Sequence, residues 1–388
     1  MKYGVLWRKT TKNKGDDMQS YAASLWLPRI DYMVDVAELD TFEVPDDEPV
    51  ATIMSFWYMW HKWNWPPAKQ LYPMWMGVHY SDKQRGRPTG MVSKYEYLTD
   101  GVGRDYLRMY EPIGCRDYYT TKAFDALGIS NEFTGCITLT LPKREIKPQK
   151  REYVVLVGVE KRVENAVREQ LEGTNIDVKV IAPTRENPSD NMTWEERKAE
   201  IEEMLDTYQN AKCVITFRLH CALPCLALET PVLLVRHSFA SPRFQPYKDW
   251  LHTAFPEQVV DGLFKDFILN PPANPDDYKP VREAIGRRVK DFLAKAAAEN
   301  RKASEIWNPP YTEQEKLEWQ NKMMKQTLHN FNYALNNDTR EINALKKQLQ
   351  KEHLDTGNPD LSARDLVGMY RRHRWLFDFL QKIYHIFK

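Results

Sequence analysis

Apolar and polar stretches alternate along this chain in two successive α/β patterns, followed by a helical tail. Residues 2–7 read as a first strand and residues 8–15 as polar loop. Asp16 or Asp17 stands where it can cap a helix running to residue 27. Strand patterns follow at 31–38 and 50–56, then a tryptophan-rich segment, then a further strand pattern at 74–80. Residues 95–110 and 120–127 have helical spacing, the second stopped by Gly128, with a short strand or turn at 112–116 between them. Residues 135–141, Gly-Cys-Ile-Thr-Leu-Thr-Leu, are a β-type run.

A basic, proline-containing stretch at 142–151 reads as a linker. Beyond it, strands at 153–158 and 177–182 alternate with helices at 163–171 and 193–208. The second of these helices opens on the capping-box signature Thr193-Trp194-Glu195-Glu196. The pattern predicts an α/β protein with two Rossmann-like domains facing a cleft, at 1–142 and 151–300, plus a helical extension at 311–388.

The most informative stretch is 213–235. A buried strand at 213–216 runs into Phe217-Arg218-Leu219-His220, an apolar helix reaches Glu229, and Thr230-Pro231 leads to a strand at 232–235. Such a βαβ unit is parallel, so Arg218 and His220 fall at the carboxyl end of a strand, where open α/β sheets bind ligands. In an extended turn the two side chains point the same way, and the helix start adds N–H groups suited to an anion. The plainer alternative pairs Arg218 with a carboxylate and leaves His220 as a helix-start residue.

The tail contains an apolar seven-residue spacing from Leu317 and Met324 to Leu349 within 313–352, interrupted by Asn321 and Asp338. It predicts either a homo-oligomerising arm or a helix packed on its own body. Residues 361–388 interleave Arg and Lys with Tyr, Trp and Phe, as in a helix that contacts a membrane surface peripherally or docks on the protein.

Composition narrows the classes. A net charge of +1 over 388 residues gives no field for nucleic acid. Mean hydropathy of −0.63 and the lack of an 18-residue apolar run describe a soluble chain. With no secretory pattern at the N-terminus, the expected location is cytoplasmic, with the inner membrane face as a site of peripheral contact. Five cysteines, none in a Cys-x-x-Cys pair, suit a reducing compartment. No glycine-rich dinucleotide or Walker loop, nucleophile elbow or zincin helix is present, and the nine histidines show no metal-ligand spacing.

Four ordered segments resemble the polysaccharide pyruvyl transferase family. They are Asn13-Lys14-Gly15-Asp16-Asp17-Met18-Gln19, Pro112-Ile113-Gly114-Cys115-Arg116-Asp117, residues 135–141, and Thr216-Phe217-Arg218-Leu219-His220 with its Thr230-Pro231-Val232 strand. Cys221 stands where the family usually has glycine. The resemblance covers roughly residues 1–270 and implies a GT-B-like fold. It also implies transfer of pyruvate from phosphoenolpyruvate to a sugar of a polysaccharide or lipid-linked glycan, often as a ketal, without cofactor or metal. On that basis His220 is the catalytic histidine, and Arg116, Arg218 and Leu219 lie on the donor side.

The residues agree with that chemistry. Phosphoenolpyruvate presents a phosphate and a carboxylate, which arginine forks bind bidentately. Arg243 and Arg236 are further donor candidates, with surface arginines as the alternative. A histidine serves proton transfer near neutral pH, and His220 is expected to act as general acid. Gly15, Asp16 and Asp17 are the acceptor-side candidates, against helix capping as their alternative duty. Trp57, Trp60, Trp63 and Trp65 offer either sugar-stacking surface or core. The competing reading is a GT-B glycosyltransferase using a nucleotide sugar, with Glu229 near the end of its helix. A non-catalytic scaffold built around the heptad arm is the third.

Overall fold

The computed structural model describes residues 1–58, 65–80 and 101–325. The described residues through Met324 belong to one compact unit, and Lys325 belongs to a second. Trp60, Trp63, residues 95–100, the arm beyond Lys325 and the basic-aromatic end lie outside the described residues.

The first sheet is built from β1 (Lys2–Trp7), β2 (Tyr32–Asp35), β3 (Val50–Met54) and β4 (Leu71–Trp75), all parallel, in the order β2-β1-β3-β4. α1 (Lys14–Ser24) follows β1, and α2 (Gly101–Arg108) follows β4 in the described chain. β5 (Ile113–Cys115) pairs in parallel with β6 (Asn131–Phe133) across α3 (Tyr118–Ala126). A single bridge, Val78 to Cys115, ties that pair to the segment beyond β4.

The second sheet holds β7 (Glu152–Val157), β8 (Ile176–Ile181), β9 (Cys213–Thr216), β10 (Val232–Val235) and β11 (His252–Ala254). These strands too are all parallel, in the order β11-β10-β9-β7-β8. Its connections include α4 (Lys161–Gln170), α5 (Trp194–Gln209) and α6 (Leu219–Leu228). After β11 come α7 (Pro256–Val260), α8 (Lys265–Leu269), α9 (Lys279–Ala298) and α10 (Ala303–Ile306). This mixed α/β architecture with parallel sheets is consistent with the Rossmann-like pattern expected.

Both sheets start in the middle and reverse direction. The switch points lie between β1 and β3 and between β7 and β9, so ligand-binding loops are expected after those strands. Those loops are held together. Asn13 bridges Thr184, the Lys14 N–H donates to the Pro183 carbonyl at 3.1 Å, and the Arg185 N–H donates to Lys12 at 2.8 Å. One buried apolar cluster runs through both halves, joining Met18 and Tyr21 of α1 to Leu205 of α5 and to Leu223 and Leu226 of α6.

Several expectations need correction. Residues 135–141 are not a strand. Gly135 takes a positive φ of 71°, and Ile137–Thr140 form a 3-10 turn. Its apolar side chains are buried between α1 and α6 rather than on a pleated surface, and burial alone does not dictate a strand. β4 stops at Trp75 because Gly77 turns the chain at φ 61°. α1 is capped by Asn13, whose side chain accepts the Gly15 N–H, and Asp16 and Asp17 sit inside its first turn. Trp65 is core, edge-on to Trp75 and Tyr106. In the helical stretch 313–325, Trp319 and Met323 are buried while Leu317 and Met324 are exposed. The face buried there is thus a different one from the seven-residue stripe. Among the described residues no helix is long and apolar enough to cross a membrane.

The deepest polar link between the halves is Asp17. Its carboxylate pairs with Arg185 at 2.7 Å and Arg197 at 3.2 Å, with Asp17 and Arg197 fully buried. Arg197 also donates to the carbonyls of Arg8 and Ser189 and lies 4.4 Å over the Trp7 ring. Removing one partner of a buried pair strands the other charge. Asp17→Ala is therefore expected to lower unfolding free energy by about 3–5 kcal/mol in urea titrations. A loss below about 1 kcal/mol, the scale of a surface pair, would contradict this account.

Candidate active site

Arg218 leaves β9 in extended conformation (φ −111°, ψ 127°) and stands at the start of α6. His220 is bent out of helical geometry (φ −79°, ψ 25°). Pro224, four residues on, lacks the N–H that would bond the His220 carbonyl, and its ring crowds that carbonyl. The sequence His-Cys-Ala-Leu-Pro thus unwinds the first turn and sets the imidazole at the mouth of the helix. Arg218 and His220, with the apolar side of Leu219, line a cavity of about 190 Å3. Lys14, Gly15, Arg236 and Arg243 line the same space.

Gly15 explains its own identity. A Cβ there would lie 3.1 Å from both Cβ and Nδ1 of His220, tighter than ordinary contact, so glycine lets the α1 loop close on the imidazole without either giving way. On the other side, Arg116 arrives from the end of β5. Its side chain is buried, and its Nη1 donates to Gln19 Oε1 at 2.7 Å and lies 3.2 Å from His220 Nε2. Tyr247 holds the Arg116 carbonyl through its hydroxyl. Arg236 donates to the Phe217 carbonyl and stacks 4.2 Å over Phe244. Arg243 lies 5.8 Å from the same ring.

The charge balance is one-sided. Among the described residues no carboxylate pairs with Arg116, Arg218, Arg236 or Arg243. The buried Nε groups of Arg116, Arg236 and Arg243 also lack hydrogen-bond partners. Buried polar groups are normally satisfied, and buried cations normally paired. Burial, with Arg116 next, lowers the Arg243 pKa to about 10. Burial, then Arg116 and Arg243, holds His220 well below the usual histidine value. Such a pocket is suited to a small, multiply charged anion.

Asp16 and Asp17 do not line the cavity. Asp16 accepts from the Thr11 hydroxyl at 2.7 Å and from Asn13 Nδ2 at 2.8 Å, and burial raises its pKa. Asp17 is engaged by Arg185 and Arg197. Their polarity serves the loop that carries Gly15. Trp57 is half-buried beside His79, with ring centroids 6.4 Å apart.

Three participants had no role assigned from the sequence, although Gln19 and Asp117 stand in the family-like segments. Gln19 fixes Arg116 and, through Nε2, reaches the Gly15 carbonyl at 3.4 Å. Asp117 accepts the Thr120 N–H at 3.0 Å at the start of α3, and its other oxygen meets His79 Nδ1 at 2.5 Å. His79 is a second buried imidazole, its pKa lowered to about 4 by burial against the opposing pull of Asp117. Only the dipeptide Arg116-Asp117 hinted at this pairing.

Residues 102–238 match the family model for polysaccharide pyruvyl transferase. The span includes Arg116, Arg218, Leu219 and His220, and it supports a transferase enzyme acting in polysaccharide biosynthesis. Gly15, Asp16, Asp17 and Arg243 lie outside it. No curated protein matches the chain.

The low pKa of His79 has a measurable sign. Below about pH 6.5 the unfolded histidine gains a proton while the folded one stays neutral, so stability is full above that value and falls on acidification. With a folded pKa of about 4, His79 alone removes roughly 2 kcal/mol between about pH 6.5 and 5. Urea unfolding of wild type against His79→Gln over that window is expected to show the steeper loss in wild type. Equal slopes would mean that His79 titrates normally.

Proposed function

We propose, with the family match as premise, that this transferase moves pyruvate from phosphoenolpyruvate onto a sugar of a polysaccharide or lipid-linked glycan, forming a ketal. The observation that carries this reading is the cluster of arginines without carboxylate partners beside His220, with Arg116 buried, Arg236 and Arg243 half-buried and Arg218 exposed to the incoming donor. Arg116, Arg218 and Arg243 are assigned to the donor's phosphate and carboxylate, with Leu219 as the apolar wall beside the three-carbon body. The two sheets are taken as two Rossmann-like domains, 1–142 and 151–300, whose strand ends face one cleft in a GT-B-like way. Gly15 and its loop then form the acceptor-side edge.

In this scheme a proton is added to the methylene carbon while an acceptor hydroxyl oxygen bonds the adjacent carbon and gives up its own proton. A second hydroxyl then displaces phosphate, its proton passing to the departing phosphate, which leaves with the C–O pair. His220 supplies the first proton, and the arginines stabilise the departing phosphate. The cavity is below the roughly 300–1,000 Å3 typical of drug-sized ligand sites, which favours a three-carbon donor over a nucleotide sugar. Glu229, on which the nucleotide-sugar alternative rests, ends α6 about 15 Å from its start and pairs with Lys143.

Phosphoenolpyruvate with an extracted glycan acceptor is expected to release inorganic phosphate in the presence of the protein. His220→Ala should abolish release with the fold intact. Arg218→Lys should raise KM for the donor by about tenfold or more, because an ammonium cannot make the bidentate contact. A fully active His220→Ala protein would refute the assignment. Thermal stabilisation by a nucleotide sugar without phosphate release would favour the alternative.

A further inference from the structure

Arg116 Nη1 has two hydrogens. One is given to Gln19 Oε1 at 2.7 Å and the other points at His220 Nε2, 3.2 Å away. A guanidinium only donates, so Nε2 must offer its lone pair, and the imidazole is neutral with its hydrogen on Nδ1. Gly15 lies against that Nδ1 edge. From the surrounding elements, His220 faces Arg116 beyond β5, Arg243 beyond β10 and His79 beyond β4, with Cys136 Sγ at 3.9 Å. Lys14 and Arg218 share its cavity. No carboxylate is among the groups that act on its charge. A neutral imidazole is far too weak an acid to protonate carbon, yet the proposed reaction needs an acid at this place.

We propose that phosphoenolpyruvate itself charges His220: the donor's anionic groups enter the arginine cluster, and the imidazole takes up a proton from solvent. This inference rests on the donor assignment above. Each anionic charge that comes within about 4–6 Å of a titrating group raises its pKa by roughly 1–3 pH units, and the donor brings more than one such charge. The anion also draws the Arg116 N–H toward itself, releasing the Nε2 lone pair. The new N–H bond later breaks as the donor's C=C electron pair takes the proton to form the methyl group. The acceptor oxygen bonds the adjacent carbon, its own proton passes to solvent, and the imidazole returns to neutrality. The acid thus exists only while the donor is bound, and the empty site holds no proton ready to transfer.

Calorimetric titration of the full chain with phosphoenolpyruvate at about pH 7.5, above the second phosphate pKa of roughly 6, reads this linkage directly. Buffers of differing ionisation enthalpy give the proton count. Wild type is expected to take up about half a proton or more per donor beyond His220→Gln measured alongside. Donor binding with the same proton count in both proteins overturns the inference and leaves the donor assignment standing. Failure of wild type to bind the donor overturns both. If the variant does not fold or bind, 15N spectra of histidine-labelled wild type decide. One histidine passing from neutral to imidazolium on donor addition is expected, and an unchanged set of nine overturns the inference.

Discussion

A guanidinium without a counter-ion governs this site. Arg116 is buried, held by a glutamine rather than a carboxylate, and aimed at an imidazole contributed by the other sheet. Bringing those groups together costs desolvation that no direct ion pair among the described residues offsets, Asp16 and Asp117 acting on Arg116 only at longer range. The cost is tolerated because the loops that carry them are locked elsewhere. The Asp17 pairs with Arg185 and Arg197, the Asn13–Thr184 bridge and the shared apolar cluster hold the Gly15 loop against the second sheet. That buried clamp fixes where the loop sits, even though burial works against the charged forms of Asp17 and Arg197, and the unpaired cations lie in the pocket beside it.

This division explains why two adjacent acidic residues look functional and behave structurally. Asp16 fastens the turn through Thr11 and Asn13, Asp17 fastens the two halves, and the residues between Asn13 and these carboxylates that meet the cavity are a lysine and a glycine. A catalytic pocket rich in cations stays cationic only if nearby carboxylates are already committed. Asp117, engaged by His79 and by the start of α3, follows the same rule.

Much of the fold was legible because parallel α/β units announce themselves. The run from Cys213 to Val235 carries strand, helix and strand in sequence, and the structure places β9, α6 and β10 there. The position of Arg218 and His220 at a strand end followed from the same pattern. Residues 135–141 were misread because an apolar, β-branched run says that a segment is buried and leaves its backbone shape open. Gly135 settled it through a positive φ that the pattern does not encode. The contacts of Gln19 and His79 were invisible for a different reason. They depend on side chains meeting across about 100 and 40 residues of sequence, which only the tertiary fold brings together.

A crystal structure of the protein with phosphoenolpyruvate tests the central claim most directly. The account predicts phosphate and carboxylate oxygens within hydrogen-bond distance of Arg116, Arg218 and Arg243, with the methylene carbon facing the His220 imidazole. A donor bound away from these arginines, or a carboxylate side chain swung in to pair with Arg116 in its place, would contradict it.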